Sequence, residues 1–249
     1  MMRVKFNVAY KGTNYNGFAK QKDNIITIQG LLEQAIYELT QQVVTVIGSG
    51  RTDTGVHAIN QVCLMDINTD AFHIPLNRFS RAMNAKLPND IVVKHVEEAS
   101  DDFHPRYAVK VKTYRYQILY DDYRDPFIDD VCYFYPYHLD IDRMKKGAQY
   151  IVGTHDFKCF CSANTQVKTT VRTIFKLDIN LIKNVIQIDI AGSGFLYNMV
   201  RIIVGTLIEV GRGKMEPEFV EEIIASTNRD NAGPTAPAKG LTMYDVAYE

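Results

Sequence analysis

Three side chains able to do chemistry stand close together in "GSGRTDTGVHA", residues 48–58: Arg51, Asp53 and His57, set between glycines. A carboxylate can attack an electron-poor carbon or stabilise charge on it. A guanidinium grips a phosphate or a carboxylate through paired hydrogen bonds. An imidazole changes charge near neutral pH. Gly48, Gly50 and Gly55 allow positive φ or a close backbone approach. Their spacing, G-x-G-x-x-x-x-G, and the strand pattern that follows argue against a phosphate-cradling loop, which needs a helix N-terminus facing the anion. The plain alternative is a decorated connection with a surface Arg–Asp pair.

A second residue narrows the choice. In "GFLYNMVRIIVGTLIEVG" the only charge from residue 195 to residue 208 is Arg201. Apolar residues occupy nearly every face around it, which predicts a buried helix. Arginine cannot shed its proton, and a buried unpaired charge is costly, so Arg201 needs an acidic partner or a polar opening. Either it snorkels to solvent, or it pairs with Asp53 and keeps that carboxylate ionised and oriented, as a nucleophile must be. In "KTYRYQI", Tyr114 and Tyr116 alternate with Arg115, with Lys110 and Lys112 nearby. Both tyrosines could be core. Aromatics among cations also suit bases stacked beside phosphates. "FHPRY" just upstream adds Phe103, His104, Arg106 and Tyr107 as candidate RNA contacts.

The elements that must position these residues read from periodicity. Val4, Phe6, Val8 and Tyr10 alternate with polar or small neighbours, a strand. "QGLLEQAIYELTQ" places Leu31, Leu32, Ala35, Ile36 and Leu39 on one helical face. Strands follow over 43–47 and 61–67, then a helix in "IPLNRFSRAMNAK" with Pro75 at its first turn, then the strand "DIVVKHVEE". The order is β-α-β-β-α-β, the ferredoxin-like split unit. The second half repeats it. "KTYRYQIL" is a strand, and Asp140 is the N-cap of a helix that stops at Gly153. Two alternating strands lie over 175–181 and 186–190. A helix over 195–210, an extra helix from Pro217 and a closing strand in "LTMYDVAY" complete it. The expected fold is therefore α+β: two ferredoxin-like halves, 1–103 with the Asp loop and 104–249 with the Tyr strand and the Arg helix, joined into an extended sheet with a central cleft.

Composition sets bounds. With 249 residues, 46% of them apolar and 23% charged, the chain reads as a globular protein. It carries no apolar run long enough to span a membrane and no signal-peptide pattern at the start. Its 4 cysteines form no C-x-x-C pair, and reduced thiols in the cytoplasm are the expectation. Cys159, Cys161 and His155 lack the spacing and the fourth ligand of a metal site. The net charge of −1 argues mildly against a nucleic-acid partner. The charge is uneven, however. "FHPRYAVKVKTYR" and "KCFCSANTQVKTTVRTIFK" each hold 4 Lys/Arg and no acid, while "DDYRDPFIDD" holds 5 Asp and 1 Arg.

Taken together, "GRTDTGVHA", "DDFHPRYAVKVKTYRYQI", "GTHDFKCF", "VRTI", "GFLYNMVRIIVGTLIEVGRGK" and "AGPTAPAKGL", in that order, with "IQGLLEQAI" near the start, resemble the tRNA pseudouridine synthase A family over essentially the whole chain. The resemblance implies a two-half ferredoxin-like homodimer acting on the anticodon stem-loop of tRNA, with no metal or cofactor. It implies Asp53 as nucleophile, Arg201 as its ion-pair partner and Tyr114 against the target uracil. Arg51 would steady the extruded nucleotide, and His104, Arg106 and Lys168 would lie in tRNA-contacting stretches. Lys11 and Phe18 stand where the family usually has Asp and Trp, and Cys161 where Arg is common. These departures are expected to touch RNA contact rather than the reaction.

Two other classes compete. Tandem ferredoxin-like sheets can bind RNA through strand aromatics without chemistry, but binding alone does not need a buried ion pair. A glycoside hydrolase needs two carboxylates facing one bond, and no second one stands in the matching blocks.

Overall fold

The computed structural model describes residues 1–22, 25–162 and 167–249. Among them the chain forms ten strands and five α-helices. They fall into two compact units, one of Met1–Lys110 with Met243–Glu249, the other of Val111–Thr242.

The first unit runs β1 (Met2–Tyr10), α1 (Ile28–Thr40), β2 (Ile47–Gly48), β3 (His57–Ile67), α2 (Leu76–Asn84) and β4 (Ile91–Glu98). Its strand order is β4-β1-β3, with β2 on β3, and β1 is antiparallel to both β3 and β4. This is the split β-α-β-β-α-β unit. The alternation in β1 buries Val4, Phe6, Val8 and Tyr10. Leu32, Ala35 and Ile36 of α1 and Phe79 and Met83 of α2 are buried with them. Each large side chain so buried contributes about 1.5–3 kcal/mol. Thr27 caps α1 by accepting from the Gly30 amide at 3.3 Å. The other residues of β1 carry polar partners: Arg3 pairs with Asp66, Lys5 with Glu97, and Asn7 joins Asn60, which donates to Asp245 at 2.8 Å.

The strand expected over 43–47 is reduced to Ile47–Gly48, paired with Leu64 and Cys63. Its upstream part is held by side chains instead of a ladder. Val46 N donates to Glu33 Oε1 at 3.1 Å, and Gln42 exchanges two amide hydrogen bonds with the backbone of Asn68. Val43 is left 92% exposed.

The second unit runs β5 (Val111–Leu119), β6 (Tyr133–Phe134), α3 (Ile141–Gln149), β7 (Gly153–Asp156), β8 (Val171–Ile182), β9 (Val185–Gly192), α4 (Met199–Gly211) and α5 (Phe219–Ser226), followed by β10 (Leu241–Ala247). The order β5-β9-β8-β7 has β5, β9 and β8 in the relation that β1, β3 and β2 show in the first unit. Tyr114 faces Ile190 and Tyr116 faces Ile188 across β5 and β9. Asp140 caps α3 through Arg143 N at 3.0 Å. The helix ends at Gln149, and Gly153, expected as its stop, opens β7 at φ +121°. The strands β6 and β7 were not expected; at 2 and 4 residues they are too short to show a period.

Most of β10 returns to the first unit, where it neighbours β3. The Tyr248 hydroxyl donates to Pro105 O at 2.9 Å, and the Lys110 amide donates to Ala247 O at 2.9 Å. The expected division into 1–103 and 104–249 therefore places residues 104–110 and 243–249 differently: these hydrogen bonds join the two segments, and Asn60 donating to Asp245 and the Phe103 ring against Tyr248 tie them to the first unit.

Helix α4 is buried along nearly its whole length, except at Arg201 and Glu209. A Cβ on Gly205 would lie 1.7 Å from Pro234 O, so the following segment runs backbone-to-helix. A glycine-to-alanine change inside a helix ordinarily stabilises by about 1 kcal/mol. Here overpacking of about 1–3 kcal/mol opposes it. Gly205→Ala is expected to lower the denaturation midpoint; a raised midpoint would show that this approach is not tight.

Candidate active site

In the first unit the loop of residues 49–56 leaves β2 and enters β3. Gln61, fully buried within β3, anchors it: its Oε1 accepts from Ser49 Oγ at 2.8 Å, and its Nε2 donates to Gly50 O. The residues around Asp53 are fixed from both sides. The Thr52 carbonyl accepts from Phe18 N at 3.1 Å, and the Thr52 hydroxyl pairs with Tyr10 Oη at 2.8 Å. The Asp53 carbonyl accepts from Val56 N at 3.1 Å, closing a turn whose third residue, Gly55, has φ +78°. Asp53 is half-buried and Arg51 exposed.

His57 is 3% exposed, and its Nδ1 accepts the Gly12 amide at 2.9 Å. An accepting Nδ1 carries no proton, so this ring serves as a buried acceptor that ties the segment around Gly12 to the base of the loop.

The glycines that matter most lie outside the motif. A Cβ on Gly12 would sit 2.0 Å from Val56 O, and one on Gly17 would sit 2.6 Å from Thr52 O, with Gly17 itself at φ +85°. Sequence reading weighed Gly48, Gly50 and Gly55 and missed these two; the signal was "KGTNYNGF", where two glycines precede a helix by an irregular stretch. Phe18 is 2% exposed, and its ring fills the space beside Gly48, where a Cβ would meet it at 2.6 Å. The Phe at this position therefore belongs to the packing under the Asp loop. Lys11 is exposed.

In the second unit the connection from β9 to α4, residues 193–198, gathers the candidates. Tyr114, 8% exposed, packs edge-on against Phe195, with ring centroids 5.1 Å apart. Tyr116 is different: it is fully buried, donates to Pro237 O at 2.8 Å and belongs to the core. Burial pushes its phenol far above the ordinary tyrosine range. Arg115 does not flank Tyr114 as a spare cation. It points to the other side of the strand and pairs with both oxygens of Asp189, at 2.7 and 3.0 Å.

Arg201 is half-buried. Its Nε donates to Ala236 O at 2.7 Å and its Nη1 to Asn198 Oδ1 at 2.9 Å. Ala236 N in turn donates to Arg201 O at 3.0 Å. Asn198, at φ +59°, also donates from Nδ2 to Ser162 Oγ at 2.9 Å. A guanidinium fastened at two of its nitrogens is aimed, which a cation merely reaching into solvent is not.

The remaining candidates are near the surface. The Phe103 ring lies 5.1 Å from that of Tyr248 and under Lys5 Nζ at 5.3 Å, so its contacts are those of packing. His104 and Tyr107 stack at 4.3 Å, and Tyr107 is 80% exposed. His104 Nδ1 accepts from Arg106 N at 3.1 Å, leaving the Arg106 side chain exposed. Lys168 is exposed too. Burial raises the Cys159 thiol to about 11, which keeps it protonated. Among the described residues no group of three His, Cys, Asp or Glu is placed to hold a metal ion.

The first unit thus carries a carboxylate on a backbone-braced loop, and the second carries a largely buried tyrosine and an arginine aimed by two hydrogen bonds. The sequence model of tRNA pseudouridine synthases matches residues 7–108 and 148–249. Proteins named tRNA pseudouridine synthase A from Brevibacillus brevis and Acetivibrio thermocellus are each 46% identical, and one from Caldicellulosiruptor bescii is 43% identical, all with full coverage of both chains (100%). A solved H/ACA RNP bound to a substrate RNA containing 2′-deoxyuridine aligns at TM-score 0.36 and 10% identity, over 83% of this chain and 44% of that one, too loosely to argue from. The chain belongs to the tRNA pseudouridine synthase family.

The bracing of the Asp loop makes a specific demand on Gly17. Gly17→Ala places a methyl against Thr52 O at a backbone conformation that L residues avoid. Turnover is expected to fall more than tenfold while the far-ultraviolet circular dichroism stays that of the parent. Unchanged turnover would show that the position of Asp53 does not depend on this contact.

Proposed function

We propose that this chain isomerises uridine to pseudouridine in tRNA, with Asp53 as the nucleophile and Arg201 as the cation that keeps it ionised. The reaction breaks the C1′–N1 glycosidic bond, turns the uracil, joins C1′ to C5 and releases the C5 proton, while N1 gains one. Atoms and electrons balance without an oxidant or reductant. A carboxylate suffices as the attacking or charge-stabilising group. A target base in a stacked stem must first be extruded, at a cost of a few kcal/mol.

In this reading Tyr114 packs against the uracil and Arg51 steadies the extruded nucleotide. His104, Arg106, Tyr107 and Lys168 meet the RNA backbone or its bases, and Phe103 supports that surface from behind. The target is the anticodon stem-loop, and the working form is a cytoplasmic homodimer. The observation that carries the reading is the full-length likeness to named tRNA pseudouridine synthases together with an intact Asp53 loop whose carbonyls are hydrogen-bonded on both sides. An RNA-binding protein without catalysis would have no use for that bracing.

The test is release of tritium from uracil C5 in labelled tRNA while the base stays attached. Wild-type protein is expected to release it. Asp53→Asn, which keeps the shape and loses the nucleophile, is expected to bind tRNA with similar affinity and release none. Residual release above a few per cent of wild type would remove Asp53 from the central role.

A further inference from the structure

We propose that Arg172 binds a backbone phosphate of the RNA, next to the uridine that packs on Tyr114. The proposal rests on the isomerase reading and adds a substrate contact to it. Arg172 lies in β8 and is half-buried. Among the described residues only its Nη1 has acceptors, the carbonyls of Thr169 at 2.9 Å and Val171 at 2.6 Å. No carboxylate among the described residues pairs with it, whereas Arg115 of the same unit meets Asp189 and Arg143 meets Glu216. Burial opposes its charge, and the nearby Cys161 side chain offsets that effect only in part. A desolvated cation without a counter-ion is what an anion site looks like before the anion arrives.

The surroundings say which anion. Gly194 stands over the guanidinium: a Cβ there would lie 3.8 Å from Arg172 Nε and 3.9 Å from its Cδ, with nothing nearer. The protein could therefore hold a side chain at this position, and its absence leaves the arginine open to approach. The next residue, Phe195, packs on Tyr114. Three residues further on, Asn198 aims Arg201. One short connection thus carries Arg172, Tyr114 and Arg201 as neighbours, and an extended nucleotide with its base on Tyr114 presents its phosphate to the same connection. Arginine suits that role because its planar fork matches phosphate oxygens in pairs.

The experiment measures tRNA binding against salt concentration for wild type, Arg172→Gln, Arg172→Lys and Gly194→Ala, with the denaturation midpoint of each. Loss of one phosphate contact reduces the log–log salt slope by about 0.7–0.9. Arg172→Gln is expected to show that reduction and to bind about tenfold more weakly. Arg172→Lys keeps the charge and should recover the slope. Gly194→Ala should keep the midpoint and weaken binding. If Arg172→Gln lowers the midpoint but leaves slope and affinity at wild-type values, Arg172 only ties the backbone at 169–171 and the proposal is overturned. Wild-type protein that releases no tritium would instead sink the isomerase reading itself, so the two failures are told apart.

Discussion

Two stretches of backbone in the first unit lie closer than any side chain permits. The carbonyl of Val56 occupies the place where a Cβ on Gly12 would go, and the carbonyl of Thr52 crowds the same place on Gly17. This contact lets the N-terminal segment brace the Asp53 loop by hydrogen bonds from main chain to main chain. Main-chain contacts have few soft dihedrals, so they hold a catalytic group more tightly than long side chains can. His57, Gln61 and Thr52 then complete the frame with buried side-chain hydrogen bonds, each made to a group that would otherwise be unsatisfied.

The second unit uses the same device. Gly205 and Gly233 let the segment around Pro234 run against α4, and Thr206 Oγ1 takes the Gly233 amide at 2.8 Å. That segment ends at Ala236, whose carbonyl receives Arg201 Nε. The arginine is thus directed by backbone, while the helix around it supplies an apolar setting in which its charge counts for more than it would in water. Tyr114 and Tyr116 show how the neighbouring strand divides its labour. Tyr116 has its hydroxyl satisfied by Pro237 and is sealed in the core, whereas Tyr114 packs edge-on against Phe195 beside the connection to α4.

Much of this was legible in the sequence where a local rule governs. The alternation of Val4, Phe6, Val8 and Tyr10 gave β1, Asp140 gave the start of α3, and the lone charge in an apolar helix marked Arg201. Other features depend on distance in space, which periodicity does not carry. The strand expected over 43–47 failed because Glu33, from α1, takes the Val46 amide. The end of the chain reads as part of the second half, yet Asn60 donates to Asp245 and the Phe103 ring packs on Tyr248, which bind it to the first unit. Arg115 looked like a phosphate ligand from its neighbours on the strand, and Asp189 on the adjacent strand claims it. The glycines of the motif were visible, but Gly12 and Gly17 owe their importance to a close approach that only the folded chain reveals.

The central claim is that a rigid frame delivers the Asp53 carboxylate to one place. Asp53→Glu tests it most directly, since it keeps the charge and moves it by one methylene. The measurement is the single-turnover rate of pseudouridine formation at saturating enzyme. The frame predicts a loss of at least about a hundredfold, as a misplacement near 1 Å costs in positioned catalysis, with tRNA affinity and thermal midpoint close to wild type. A rate within a few-fold of wild type would contradict the account, because a carboxylate that works from either length is not being held in place.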